Sequence, residues 1–333
     1  MLYSDLHIHT SYSHGKNTAP EMLEAALRSG IRIIGFSEHS PRPAGYDYPS
    51  GDYRERLEPN WERYVSEIIS LKKAAAEGIY DGRIPKALRS SRCTAEGFSA
   101  NGGQASERSA RAGSLRSAED VFPDLFEKRP VVLLGAELDW IPAERDFCRA
   151  FRHDAPYDYV IGGIHFLGRW GLDTDPAEWA GMSEQKAAYR REEYYDSMRE
   201  MADARAADIA AHPDLVKIFD RDRFDRWLPK HENLVYDVLE NIRDAGMAME
   251  VSTAGLHKPC EDFYPGRVIM SMARALRLPI SLASDAHAAG QTARDFPALE
   301  GYCRSFGYSE SLVFSEGRPL SVPFLTDAGT SGQ

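Results

Sequence analysis

LYSDLHIHT, residues 2–10, reads as a short β-strand ending in two alternating histidines. Side chains alternate faces along a strand, so His7 and His9 point the same way. Alone, an H-x-H is a weak signal, because two histidines on one strand face also suit a solvated polar surface. The rest of the chain decides its meaning by repetition. Further apolar runs follow: IRIIGFSEH (31–39), VVLLGAEL (131–138), YVIGGIHF (159–166), ADIAAHP (207–213), AMEVSTA (248–254) and ISLASDAH (280–287). A last run, SLVFS (311–315), reads as an eighth strand or an edge. Between them lie helical patterns such as PEMLEAALRSG, with Pro20 near its start and Gly30 just past its end. Others are NWERYVSEIISLKKAAAEG, QKAAYRREEYYDSMREMADAR, NLVYDVLENIRDAG and PGRVIMSMARALR. Strands alternating with helices imply an α/β fold with a parallel sheet, and this many units in a row favour a closed or nearly closed barrel.

Nearly every strand is apolar until its C-terminal end, and there a metal-competent residue stands. The first ends in His7 and His9, with His14 shortly after; the second in Glu38 and His39; the third in Glu137; the fourth in His165. The fifth supplies His212, and the seventh Asp285 and His287. In a parallel barrel these ends converge on one face, where α/β active sites lie. A single histidine at a strand end has an ordinary hydrogen-bonding explanation, but seven of the chain's 10 histidines fall there. Burying so many imidazoles unpaired would cost about 1–3 kcal/mol each. Coordination removes that cost. Imidazoles and carboxylates without thiolate suit Zn, Fe or Mn better than Ca or Mg. Nine candidate ligands are too many for one tetrahedral ion, and enough for three divalent ions if a carboxylate bridges two. Asp5 shares the face of His7 and reads as a partner that orients one of the imidazoles.

Composition sets the outer limits. The 333 residues are 43% hydrophobic and 27% charged, as in a globular protein, and the net charge of −11 argues against nonspecific nucleic-acid binding. Cys93, Cys148, Cys260 and Cys303 are scattered without a C-x-x-C pair, which fits a reducing compartment and offers no thiolate site. With no signal-peptide pattern and no long apolar run, the expectation is a cytoplasmic protein without membrane contact. The expected organisation is one domain over 1–325. It is interrupted by a Ser-, Gly-, Ala- and Arg-rich stretch at 88–117 that reads as a mobile insertion, and followed by a disordered tail at 326–333. Five arginines against two glutamates in the insertion also admit a nucleic-acid arm, the weaker reading. The oligomeric state is not set by the sequence.

The motifs D-x-H-x-H-T, S-E-H, G-x-E, G-G-x-H, A-H-P-D and S-D-A-H resemble those of the PHP (polymerase and histidinol phosphatase) superfamily. SEHSPRP, GGIHFLGRWGLDTDP, STAGLHKP and YPGRVI are most similar to its histidinol-phosphate phosphatases, and the likeness runs from residue 1 to about 315 with 88–117 outside it. The resemblance implies a distorted (β/α)7 TIM-like barrel with a trinuclear metal centre. One ion would be held by His7, His9, Glu137 and Asp285, a second by Glu137, His165 and His212, a third by His14, His39 and His287. It further implies hydrolysis of L-histidinol phosphate, a step of histidine biosynthesis. The expected nucleophile is a water or hydroxide bridging two ions, and a metal-bound water, His257 or Asp285 would supply the leaving-group proton. Arg42 is the expected phosphate clamp; Arg169, Trp170, Asp173, His257 and Lys258 are the other expected substrate contacts. His257 departs from relatives that carry Arg there, and Arg169 from a position that is usually small or acidic. The rival readings are a PHP phosphoesterase for another small phosphate ester or nucleotide, a nucleic-acid exonuclease or proofreading domain, and a noncatalytic metal-binding protein.

Overall fold

The computed structural model describes residues 2, 4–48, 52–78, 116–121 and 129–324. Seven parallel strands form one sheet in sequence order: β1 (Ser4–Asp5), β2 (Ile33–His39), β3 (Val131–Asp139), β4 (Tyr159–Gly163), β5 (Ile209–Ala210), β6 (Ala248–Ser252) and β7 (Ile280–Ala283). The last strand returns to the first. Leu6 N–H donates to Leu282 O at 3.1 Å, His9 N–H to Ala286 O at 2.9 Å, and Ala286 N–H to His7 O at 3.2 Å. The sheet is therefore a nearly closed barrel, as the alternation of strand and helix predicts.

Helices form where amphipathic periodicity and end signals coincide. α1 (Ala19–Arg28) carries Pro20 in its first turn and a capping box between Thr18 and Glu21. Gly30 follows at φ 87°, a left-handed turn that a side chain would strain. Its buried face presents Met22, Leu23 and Ala26 to the barrel. α2 (Trp61–Ala76), α3 (Glu184–Asp203), α4 (Glu232–Asp244) and α5 (Arg267–Ala275) match the other helical patterns within a few residues. A further helix, α6 (Phe296–Ser305), was not evident from periodicity.

Strand alternation divides the interior in two. Ile34, Phe36, Val132 and Leu134 pack outward in the cluster beneath the helices. Leu6, Ile33, Leu133, Tyr159, Ile161 and Ile209 belong to a second cluster that fills the lower lumen. Tyr159 is its central plug. Its hydroxyl donates to Leu6 O at 2.6 Å, and a Cβ on Gly35 or Gly135 would come within 2.0 or 2.4 Å of the tyrosine side chain. The two glycines make room for one ring.

The SLVFS run joins no barrel ladder. It forms β8 (Glu310–Ser315), paired in an antiparallel hairpin with β9 (Arg318–Pro323), and β9 pairs in parallel with the short strand Arg116–Ser117. Leu312, Phe314, Leu320 and Val322 pack into the lower cluster and close the barrel's N-terminal end. Arg116 and Ser117, which sequence assigns to a mobile insertion, are thus paired strand residues; the remainder of that stretch, 88–115, and the tail at 326–333 lie outside the described residues. No helix among the described residues is long and apolar enough to cross a membrane. Cys148, Cys260 and Cys303 are buried free thiols.

Candidate metal centre

With the lower lumen filled by hydrocarbon, the upper lumen is left to polar side chains. Along β3 one face reads Leu133, Gly135, Glu137 and Asp139: apolar at the bottom, open for Tyr159 above it, then carboxylates at the C-terminal end. All nine candidate ligands meet there. Glu137 is the hub. Its Oε2 lies 2.9 Å from His39 Nδ1, 3.2 Å from His7 Nε2 and 3.4 Å from His9 Nε2. Its Oε1 lies 3.1 Å from His212 Nε2 and 3.4 Å from His165 Nε2. Asp285 Oδ1 stands 3.3 Å from His9 Nε2 and 3.8 Å from His7 Nε2. The rings of His14 and His287 are 4.3 Å apart, and those of His14 and His39 4.9 Å.

The backbone works to assemble this group. His212 and Asp285 adopt φ values of 25° and 50°, a left-handed region that non-glycine residues seldom enter and that clusters at functional sites. Gly163 supplies clearance: a Cβ there would lie 2.7 Å from His165 Cε1, 3.1 Å from Glu137 Oε1 and 3.2 Å from His212 Cε1.

A ring of carboxylates holds the imidazoles from behind. His7 Nδ1 meets Glu250 Oε2 at 2.6 Å, His9 Nδ1 meets Glu38 Oε1 at 3.2 Å, and His165 Nδ1 meets Asp139 Oδ1 at 2.5 Å. Glu38 also accepts from the backbone and hydroxyl of Thr10 and from Ser13. With Nδ1 engaged, Nε2 of each ring is turned to the centre, an arrangement that fixes tautomer and orientation for metal binding. Asp5 does not take this part. Its carboxylate accepts from Ser284 N–H at 2.9 Å, from the Ser284 hydroxyl at 2.6 Å and from Ala293 N–H at 3.1 Å, and so holds the loop that follows β7.

The donors fit divalent cations. His7 Nε2, His9 Nε2, His287 Nε2 and Glu137 Oε2 are buried and make no hydrogen bond, the condition that a shared cation relieves. Three overlapping triads each gather their ligand atoms within 4.8 Å of one another: His7, His9 and Asp285; His39, Glu137 and His165; His9, His39 and His287. Burial, reinforced by neighbouring imidazoles, pushes His39 and His287 down to about 3, which leaves these rings in the neutral form that a cation can bind. Burial opposes ionisation of Glu137, yet His39, His7 and His165 outweigh it and hold the carboxyl well below the usual range. Imidazole and carboxylate donors in this number suit transition-metal ions.

Above the cluster opens a cavity of about 610 Å³. Beyond the ligands it is lined by Ser13, Tyr48, Arg56, Asp173, Thr174, Leu215, Ile218, Lys258 and Tyr264. Asp173 Oδ1 is buried without a hydrogen bond, while Oδ2 lies 3.5 Å from the Tyr48 hydroxyl. Of the expected substrate contacts, Asp173 and Lys258 therefore face the cavity and four others do not. Arg42 is buried against Asp139. Arg169 lies over the Tyr46 ring at 4.9 Å and donates to Ala44 O. Trp170 turns outward to Glu178 and Trp179. His257 Nε2 meets Asp295 Oδ2 at 2.6 Å on a partly exposed face. Short loops set these directions, and loop geometry is not readable from residue order. Sequence reasoning overlooked Glu250 and Asp139, whose signal was an acid inside or closing a buried apolar strand. It also overlooked Arg56, which carries no motif.

The chain is 27% identical over 288 residues to a protein from Deinococcus radiodurans named "Probable histidinol-phosphatase", covering 86% of this chain and 87% of that one. It is 25% identical over 326 residues to the histidinol-phosphatase of Bacillus subtilis, covering 90% and 98%. The solved structure of histidinol phosphate phosphatase from Lactococcus lactis, complexed with Zn, L-histidinol and phosphate, superposes with a TM-score of 0.65 at 15% identity, covering 95% of this chain and 98% of that one. That likeness is one of fold. The family model for the PHP domain matches residues 5–254, and the chain belongs to the PHP domain family.

Proposed function

We propose that the protein is a metal-dependent phosphomonoesterase that hydrolyses L-histidinol phosphate to L-histidinol and phosphate. The observation that carries this reading is Glu137, whose two oxygens face five imidazoles at the floor of a cavity sized for a small molecule. The names of the Deinococcus and Bacillus relatives, and the L-histidinol and phosphate in the Lactococcus structure, support the substrate. Histidine biosynthesis in the cytoplasm is the matching setting, in keeping with buried free thiols.

His7, His9, Glu137 and Asp285 would hold one ion, Glu137, His165 and His212 a second, and His14, His39 and His287 a third, with Zn, Fe or Mn suited to the donors. Bound cations supply Lewis acidity, which lowers the pKa of water and offsets charge on the phosphoryl oxygens. The chain's own groups then bind and orient. Lys258 and Arg56 at the cavity wall attract the dianionic phosphate. Asp173 lines the same cavity, and its unbonded Oδ1 suits the primary ammonium of the substrate. Leu215, Ile218 and Tyr48 offer apolar surface to the imidazole ring. Asp285 lines the cavity and stands beside the reacting end, whereas His257 faces Asp295 and is left out of the chemistry.

Steady-state kinetics with L-histidinol phosphate and a panel of other phosphomonoesters tests the reading. The expected result is the highest kcat/KM on L-histidinol phosphate. A comparable or higher value on another ester would transfer the same chemistry to that substrate.

A further inference from the structure

Arg42 is an arginine with almost no access to solvent or cavity; its side chain and that of its partner Asp139 are each 1% exposed. Its Nε contacts Asp139 Oδ2, and the other oxygen of that carboxylate meets His165 Nδ1 at 2.5 Å. His165 in turn presents Nε2 to Glu137 at 3.4 Å. Arg42, Asp139, His165 and Glu137 are thus one line of contact, running from the wall of the barrel to the centre of the cluster.

The guanidinium lies against two adjoining aromatic rings, whose centroids are 5.5 Å apart. Its carbon lies 4.6 Å from the centroid of Tyr48 and 5.1 Å from that of Phe166, so the cation sits among aromatic faces where it is stabilised without water. Its own backbone is also held: Arg54 donates to Arg42 O at 2.8 Å and to Pro43 O at 2.9 Å. A buried arginine held in this way is unsuited to moving toward a phosphate group. It is well suited to holding a buried carboxylate in one direction.

We propose that Arg42 is a positioning residue for the metal centre, acting through Asp139 on the orientation of His165, an inference that rests on the metal-dependent reading above. With Arg42 in place, Asp139 keeps Oδ1 on the His165 ring and Nε2 faces inward. Without it, nothing holds Asp139 Oδ2 against the barrel wall, and the buried carboxylate turns toward another donor. That turn releases the His165 ring. Tyr48 stacks on the same guanidinium and lines the cavity, so this one cation also steadies part of the substrate wall.

Arg42→Gln and Arg42→Lys test this against the wild type. The metal-stripped full chains are titrated with cobalt(II), read by visible absorption, and then with zinc in competition. Thermal melting of the metal-free proteins is measured alongside. In Arg42→Gln, one equivalent of metal should bind about 10- to 100-fold more weakly with an altered cobalt spectrum, the rest binding as in the wild type. Arg42→Lys, which keeps the charge but not the planar fork, should recover part of that affinity. Unchanged affinity and spectrum in both variants would overturn the proposal. So would a loss of affinity that merely follows a loss of folding in the metal-free protein, because that is a structural role. A wild-type chain that takes up no cobalt would overturn the metal-dependent reading itself, and this proposal with it.

Discussion

Glu250 on β6 meets His7, just past β1, at 2.6 Å, spanning the strand that lies between them. The same carboxylate accepts from the backbone N–H of His212 at 3.2 Å. One buried acid therefore orients an imidazole from the first strand and the backbone of a second candidate ligand from the fifth. Glu250→Gln keeps the shape and removes the charge that makes His7 a stronger ligand. Metal affinity, measured by calorimetric titration of the stripped protein, should fall about 10- to 100-fold while the far-UV circular dichroism stays unchanged. Wild-type affinity in the variant would remove Glu250 from the centre.

Gly163 is required by clearance rather than by backbone conformation. An alanine methyl at this position must displace the His165 ring, the Glu137 carboxylate or both. Gly163→Ala should still fold, since its backbone is ordinary β-strand, yet lose on the order of 100-fold in kcat/KM from misplaced groups. A variant with normal kinetics would show that the cluster tolerates the shift.

Binding only to the folded state should make the ions part of the protein's stability. At a free concentration 100-fold above its Kd, each adds about 2.7 kcal/mol. Dialysis against a chelator should lower Tm by several degrees, and Zn or Mn should restore it, as differential scanning calorimetry can follow. Identical Tm values with and without chelator contradict this.

Asp173 separates substrate recognition from chemistry. In Asp173→Asn, KM for L-histidinol phosphate should rise about tenfold or more with kcat little changed, from the loss of a charge-assisted contact. On a phosphomonoester without an amine the same variant should match the wild type. A parallel loss on both substrates would move Asp173 from recognition to structure.

The sequence made the barrel legible because nearly every strand repeats one design, apolar at its start and metal-competent at its end. His7, His9, Glu137, His165 and Asp285 follow from that period and from the parallel topology that aligns strand ends. The SLVFS run was ambiguous, since a short apolar strand closing the barrel floor looks the same in sequence as one within the ladder. Arg42 and His257 lie away from the cavity lining for a different reason. Each lies a few residues past a strand end, but the direction of such a side chain depends on its tertiary partners, Asp139 and Asp295. Those partners lie 97 and 38 residues away. Glu250 was visible as an acid in the middle of AMEVS, but only the structure connects it to His7.

The proposed function requires Glu137 to gather the ions that make this cavity a phosphatase. Its most direct test is inorganic phosphate release from L-histidinol phosphate, by wild type and Glu137→Ala, each stripped and then reconstituted separately with Mn, Fe, Co and Zn, with bound metal measured in the same samples. Release by reconstituted wild type but not by the stripped protein is predicted, together with loss of turnover and lowered metal content in Glu137→Ala. Full activity in that variant, or in the stripped wild type, would contradict the account.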